Sequence, residues 1–354
     1  YSSEEFNAED FYPDDPVVIT ISHLGYIKRT ALTEFREQSR GGVGSKGAHT
    51  RDEDFTEYIY PATMHNTLLF FTQKGRCYWL KCYEIPEGAK NSKGRAIQNL
   101  LNIEADDAIN AVLRIKNLND KEFVDSHYVV FATKNGIIKK TCLEAYSRPR
   151  ANGVNAINIL EGDQVVGVRL TNGHNELLLA NRNGRAIRFN EAELRPMGRV
   201  STGVRGMRLD GGDDEVVGLV CVNDPQTETI MVVSENGYGK RSDVDDYRKT
   251  ARGAKGVKTI SITEKTGRLV AIKVVTDEND LMIINKSGIL IRMKVADVRV
   301  MGRATQGVRL INLTKKNDVI ASVCKVMTET EEEPETIVDP DESPNVENTE
   351  NTEN

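Results

Sequence analysis

Six times along the chain, a run of consecutive apolar, mostly β-branched residues ends at a glycine and gives way to a stretch carrying basic residues. The segments are VVITISHLGYIKR, LLFFTQKGRCYWLK, YVVFATKNGIIKK, ELLLANRNGRAIR, TIMVVSENGYGKR and LMIINKSGILIR. Short apolar runs bounded by turn residues read as strands. Their glycines, Gly25, Gly75, Gly136, Gly184, Gly237 and Gly288, are spaced 50, 61, 48, 53 and 51 residues apart. A second glycine follows each, at Gly47, Gly94, Gly153, Gly203, Gly256 and Gly307, after 22, 19, 17, 19, 19 and 19 residues. The chain is therefore an internal repeat of about fifty residues, and this sets the fold before any single residue is considered.

Within a repeat, Asn-Gly at 135/136, 183/184 and 236/237 predicts a hairpin whose two central residues both take positive φ. Two more short strands are expected after the second glycine, as in NAINILEGDQVVGVRL and RGMRLDGGDDEVVGLVCV. Six four-stranded units predict an all-β fold, a six-bladed disc of the propeller kind, because each unit must bury its faces on its neighbours and a closed ring removes open edges. A linear stack is the structural alternative. The repeats start near 17, 67, 127, 175, 228 and 280 and occupy residues 16–327. Residues 1–15 read as an acidic linker. Residues 328–354 read as a disordered acidic tail, since they lack the apolar periodicity that offsets ordering entropy.

Composition narrows the class. With 354 residues, 39% hydrophobic and 28% charged, the chain is neither a disulfide mini-protein, nor collagen-like, nor wholly disordered. No apolar run reaches the roughly 18 residues of a membrane span, and five scattered cysteines give no disulfide framework, so a soluble cytoplasmic protein is expected. The net charge of −6 conceals an asymmetry: eleven acids lie in 328–354 and six in 1–15, with no Lys or Arg in either. Residues 16–327 keep 36 acids against 47 bases, a net of +11. A basic body between acidic ends points to a polyanionic partner.

The bases recur at two places in the repeat. One is the strand after the hairpin glycine, with Lys28, Arg29, Arg76, Lys81, Lys139, Lys140, Arg185, Arg188, Lys240, Arg241 and Arg292. The other is the connection leading to the next glycine, with Arg40, Lys46, Lys90, Lys93, Arg148, Arg150, Arg195, Arg199, Arg252, Lys255, Arg299 and Arg303. In a disc of equivalent units each repeated position maps onto a ring, and the expectation is a basic belt for a phosphate backbone. The first repeat adds a glycine-dense loop, Gln38 to Gly47, where backbone N–H groups and Arg40 can approach phosphate closely.

Other motifs carry less. Gly42 to Gly47 also spells GxGxxG, but no strand precedes it and no apolar helix follows. Cys77, Cys82 and His65 lack zinc-finger spacing, the five histidines have no phased nucleophile or carboxylate, and no metal or catalytic residue is assigned. Trp79, Phe70, Phe71 and Phe131 fall inside apolar runs and are expected in the core, which favours backbone over base readout.

The repeat and the loop together resemble the C-terminal domain of the DNA gyrase A subunit. Members of that family carry a seven-residue box in the first blade of a six-bladed β-pinwheel. The matching stretch here is Gln38 to Gly44, which keeps Gln38, Arg40, Gly41, Gly42 and Gly44, while Ser39 and Val43 stand where the family usually has Lys or Arg. The resemblance covers residues 16 to about 327. It implies that duplex DNA wraps around the rim, presenting a crossing for ATP-dependent negative supercoiling by a holoenzyme that includes the gyrase A breakage-reunion domain and the gyrase B subunit. ATP and Mg would serve that holoenzyme, the cleaving tyrosine would lie outside this chain, and the chain alone would hold no cofactor and catalyse nothing. The topoisomerase IV A subunit, whose domain usually has fewer blades and a degraded box, is one alternative, and a protein-binding propeller scaffold is another. The acidic tail is expected either to solubilise the chain or to compete with DNA for the belt.

Overall fold

The computed structural model describes residues 8–34, 54–89, 91–313 and 317–327. Each repeat opens with an antiparallel hairpin. These are β1 (Pro16–Ser22) with β2 (Tyr26–Ala31), β4 (Thr67–Thr72) with β5 (Arg76–Lys81), and β8 (Tyr128–Thr133) with β9 (Ile137–Cys142). The other three are β12 (Glu176–Asn181) with β13 (Arg185–Asn190), β16 (Thr229–Ser234) with β17 (Tyr238–Asp243), and β20 (Asn279–Asn285) with β21 (Leu290–Lys294). An inner strand pairs with the free side of each first hairpin strand: β3 (Thr56–Thr63), β7 (Ile109–Ile115), β11 (Val165–Thr171), β15 (Val216–Val222), β19 (Leu269–Val275) and β23 (Ile320–Met327). Inner strands β7, β11, β15, β19 and β23 adjoin in series, the first and second blades share an apolar cluster, and β23 adjoins β3, so the sixth blade meets the first and the ring closes.

The hairpin turns differ from the expected two-residue type. Gly136 takes φ +90°, but Asn135 does not take positive φ, and among the described non-glycine residues only Asn317 does. The Gly136 N–H donates to the Thr133 carbonyl at 3.0 Å, and the next N–H, of Ile137, donates to Thr133 Oγ1 at 3.2 Å. With a hydroxyl closing the turn, one left-handed glycine suffices, as in hairpin loops that end in a glycine bulge.

The fourth strand is the larger departure. The two-residue strands β6 (Arg95–Ala96), β10 (Val154–Asn155), β14 (Val204–Arg205), β18 (Val257–Lys258) and β22 (Val308–Arg309) each pair with the preceding repeat's hairpin: β6 with β2, β10 with β5, β14 with β9, β18 with β13, β22 with β17. Each such blade is thus completed on its outer edge by the following repeat. Five described sheets have four strands and the sixth has three. The second glycine makes the crossing possible: Gly203 has φ +108°, and a Cβ there would lie 2.5 Å from the Ile138 carbonyl oxygen. The borrowed strand also covers an edge that would otherwise template aggregation.

The continuous apolar runs follow from this architecture. In β4, Leu68 and Phe70 pack against the first blade with Ile19 and Ile21, while Leu69 and Phe71 pack against the third with Val129 and Phe131. In β12 and β16 the same alternation joins blades three to four, four to five and five to six. A strand covered on both faces has no polar side, hence no period-two pattern. Trp79, Phe70, Phe71 and Phe131 are all buried. Residues 8–15 fold back on the second blade, where Glu9 pairs with Lys81 at 2.5 Å and the Tyr12 ring stacks on Tyr83 at 4.9 Å. No described helix is long and apolar enough to cross a membrane.

Candidate nucleic-acid interface

The two sets of bases go to different places. Those on the second hairpin strand mostly turn inward, contrary to the expectation of a solvated belt: Lys28, Lys139, Lys140, Arg188, Lys240 and Arg241 are all buried, Lys139 and Lys240 completely. The reason is geometric. This strand lies between the first hairpin strand and the borrowed strand, and its cations find backbone oxygens instead of water. Lys28 Nζ donates to the carbonyls of Ala89 and Ser92 at 2.9 and 2.7 Å. Lys139 Nζ donates to Ala156 at 2.8 Å and to Arg199, and Lys240 Nζ to Gly302 and Thr305 at 3.1 and 2.9 Å and to Arg303. Burial, then the adjacent Arg199, pulls Lys139 down to about 7, and burial, then Arg303, does the same to Lys240.

The next position along that strand reaches the 3-10 turn of the following blade. Arg29 Nε donates to the Ile85 carbonyl at 3.0 Å, Lys140 Nζ to that of Glu191 at 3.3 Å, and Arg188 Nη1 to those of Val244 and Tyr247 at 3.0 and 2.9 Å. Arg241 Nη1 lies 3.5 Å from the Val295 oxygen and 2.6 Å from Asp277 Oδ1. In the second blade Trp79 does the same work, Nε1 donating to the Tyr146 carbonyl at 2.9 Å. Arg292 pairs with Asp280 at 2.7 Å, and half-buried Arg185 donates to the Gly256 carbonyl at 3.1 Å.

The second set stands on the perimeter. Lys93, Arg148, Arg150, Arg195, Lys255 and Arg299 are exposed, Arg148 with 83% of its side chain accessible. Arg199, Arg252 and Arg303 are half-buried and knit the perimeter together. Arg199 Nη1 donates to the Asn155 carbonyl at 2.7 Å, Arg252 Nη1 to that of Arg205 at 3.0 Å, and Arg303 Nη1 to that of Lys258. These three rim loops are thereby fastened to the outermost strand of the repeat before each. Some of the charge is locally balanced: Arg148 pairs with Glu144 at 2.9 Å and Lys255 with Asp210 at 3.2 Å.

Further exposed bases extend this track: Arg95 in β6 and, two residues past the second glycine, Arg205, Lys258 and Arg309. Their signal was present in the repeat, as a polar residue at a fixed offset in the borrowed strand. Gln38, Arg40, Gly41, Gly42, Gly44 and Lys46, together with Lys90, lie outside the described residues. The arrangement offers phosphate groups an array of guanidinium and ammonium groups; duplex DNA presents one charge per ~1.7 Å of its axis, so such contacts act in numbers.

Known proteins share this organisation. The family model described as DNA gyrase C-terminal domain, beta-propeller, matches residues 16–62, 66–116, 127–172, 175–223, 228–276 and 279–324. The DNA gyrase A subunit of Staphylococcus aureus strain MRSA252 is 44% identical over 332 residues, 94% of this chain and 37% of the relative. Its counterpart from strain NCTC 8325 / PS 47 is 44% identical over 330 residues, 93% of this chain and 36% of its own length. This chain thus spans little more than a third of the curated relatives it matches. Among solved structures, the C-terminal domain of DNA topoisomerase IV superposes with a TM-score of 0.77 at 28% identity, covering 90% of this chain and 95% of that one. A DNA gyrase A C-terminal domain gives 0.65 at 25% identity, covering 88% and 100%.

Proposed function

Because this chain belongs to the DNA gyrase C-terminal domain family of β-propellers, we propose that it binds duplex DNA along its basic perimeter and bends the duplex around the disc. The observation that carries this reading is the chain of rim contacts from Arg199 to Asn155, Arg252 to Arg205 and Arg303 to Lys258, which sets exposed bases of successive repeats along one outer track. Bending stiff duplex that tightly costs up to about 10 kcal/mol, so affinity rests on many phosphate contacts acting together. Readout of base edges contributes little, since the strand aromatics are buried and sequence preference then follows DNA bendability.

In the whole protein the domain would present a DNA crossing to a gyrase A breakage-reunion domain, with the gyrase B subunit supplying ATP-driven strand passage with Mg. That work belongs in the cytoplasm, with the nucleoid. Gln38, Arg40, Gly41, Gly42, Gly44 and Lys46 remain part of the proposed contact. The higher TM-score to the topoisomerase IV domain favours a second reading, in which the same rim binds DNA without fixing the hand of a wrap. Binding the chain to nicked circular DNA, ligating and resolving topoisomers separates them. A positive linking-number shift supports the gyrase reading, binding without a shift supports the topoisomerase IV reading, and no salt-sensitive binding overturns both.

A further inference from the structure

Three side chains remote in sequence meet where the ring closes. His23 lies in the hairpin turn after β1, Glu57 near the start of β3, and Cys324 in β23 of the last blade. His23 Nδ1 is 3.1 Å from Glu57 Oε2 and 3.7 Å from Cys324 Sγ, and one donor atom from each residue lies within 4.8 Å of the other two. A tetrahedral zinc ion with bonds of about 2.0–2.3 Å sets its ligand atoms about 3.3–3.7 Å apart. The two separations from His23, 3.1 and 3.7 Å, are close to these edges, and all three donors lie within 4.8 Å of one another.

We propose that His23, Glu57 and Cys324 bind Zn²⁺ at the junction of the first and sixth blades, with water at the fourth position. An imidazole, a carboxylate and a thiolate select zinc over Mg²⁺ or Ca²⁺, which take oxygen ligands. The two anionic ligands balance the ion. His23 and Glu57 keep 30% and 19% of their side chains accessible, which leaves an entry path, while Cys324 is buried. The His23 ring stacks on Phe55, centroids 4.9 Å apart and planes 10° apart, so its orientation is held before a metal arrives.

Three charged groups lie within electrostatic reach of the ligands: Lys273 of β19 and Arg169 of β11, which oppose a bound cation, and Asp54, which favours one. The location gives the site a purpose. Among the described residues the apolar cluster at this seam is small, Met282, Leu290, Cys324 and Val326, with Phe55 and Ile284 packed against them. A metal bond from the first hairpin turn and inner strand to the last inner strand would fasten the ring there. The ligands are separated by 34 and 301 residues, so no short motif announces them.

The test uses the full chain, tag-free and reduced. Titration with Co²⁺ should saturate at one equivalent with a thiolate-to-metal charge-transfer band in the near ultraviolet, and Zn²⁺ should abolish the band and raise the thermal midpoint. Cys324→Ser should remove the band, and His23→Gln should weaken Zn²⁺ binding by more than the roughly tenfold that a change in an outer-shell partner alone costs. Absence of the band in the parent chain, its survival in Cys324→Ser, or unchanged affinity in His23→Gln would overturn the assignment.

Discussion

The guanidinium of Arg188, in the fourth blade, donates to the backbone oxygen of Tyr247, in the fifth, at 2.9 Å. The same group holds Val244 and is paired with Glu176 of its own hairpin, so one buried cation joins two blades. Replacing Arg188 with Met leaves the Tyr247 carbonyl without its donor, takes one of two donors from the Val244 carbonyl, which still accepts from the Tyr247 N–H, and removes one of Glu176's two cationic partners, the other being Lys249. The expected loss is about 3 kcal/mol, read by urea denaturation. Duplex affinity at low temperature should be unchanged, and a drop in affinity at full foldedness would place Arg188 at the DNA instead.

Lys139 and Lys240 make stability depend on pH in a defined sense. Each is held at about 7 in the folded chain, chiefly by burial, against an ordinary lysine value of 10.5. Between those values the unfolded chain binds more protons, so stability rises as pH increases from about 7 toward 10. Thermal midpoints should climb over that interval. In Lys139→Met the climb should be shallower, and an unchanged slope would contradict the assignment.

On the perimeter the effect should appear in salt dependence and not in stability. Arg205→Ala with Lys258→Ala should lower the slope of log K against log salt by about 1 for each phosphate no longer neutralised, equally on unrelated duplex sequences. Fluorescence anisotropy between 50 and 200 mM salt, roughly the range in which such contacts weaken, measures this. A slope equal to that of the parent chain would remove these two residues from the track.

Gly203→Ala tests the borrowed strand. The substitution forces a Cβ onto the Ile138 carbonyl at a left-handed backbone position, with a cost of about 1–3 kcal/mol. Hydrogen exchange should show the amides of Val204 and Arg205 losing protection before those of β8 and β9. Uniform loss across the third blade would mean that the strand does not open independently.

The repeat and its hairpins were legible in the sequence because each recurs at a fixed offset from a glycine, and the buried aromatics because they fall inside continuous apolar runs. The fate of the basic residues was legible only in part. Three residues past the hairpin glycine the six copies read Lys28, Tyr78, Lys139, Ile187, Lys240 and Ile291, and one residue further on Trp79 stands among five cations. A position that is apolar in some copies and cationic in others is an interior position with backbone oxygens in reach, and this comparison separates the buried lysines from those on the rim. The exchange of outer strands had no such signature, because two-residue strands leave almost no hydrophobic pattern and their partners lie in another repeat.

That exchange bears on how the molecule can change size. Since every internal repeat donates a strand backward and receives one from ahead, excising a whole repeat lets its two neighbours pair with each other and leaves no orphan edge between them. Blade number is therefore free to drift by duplication or loss of single units, and the burden of each change falls on the one junction where the chain's beginning must meet its end.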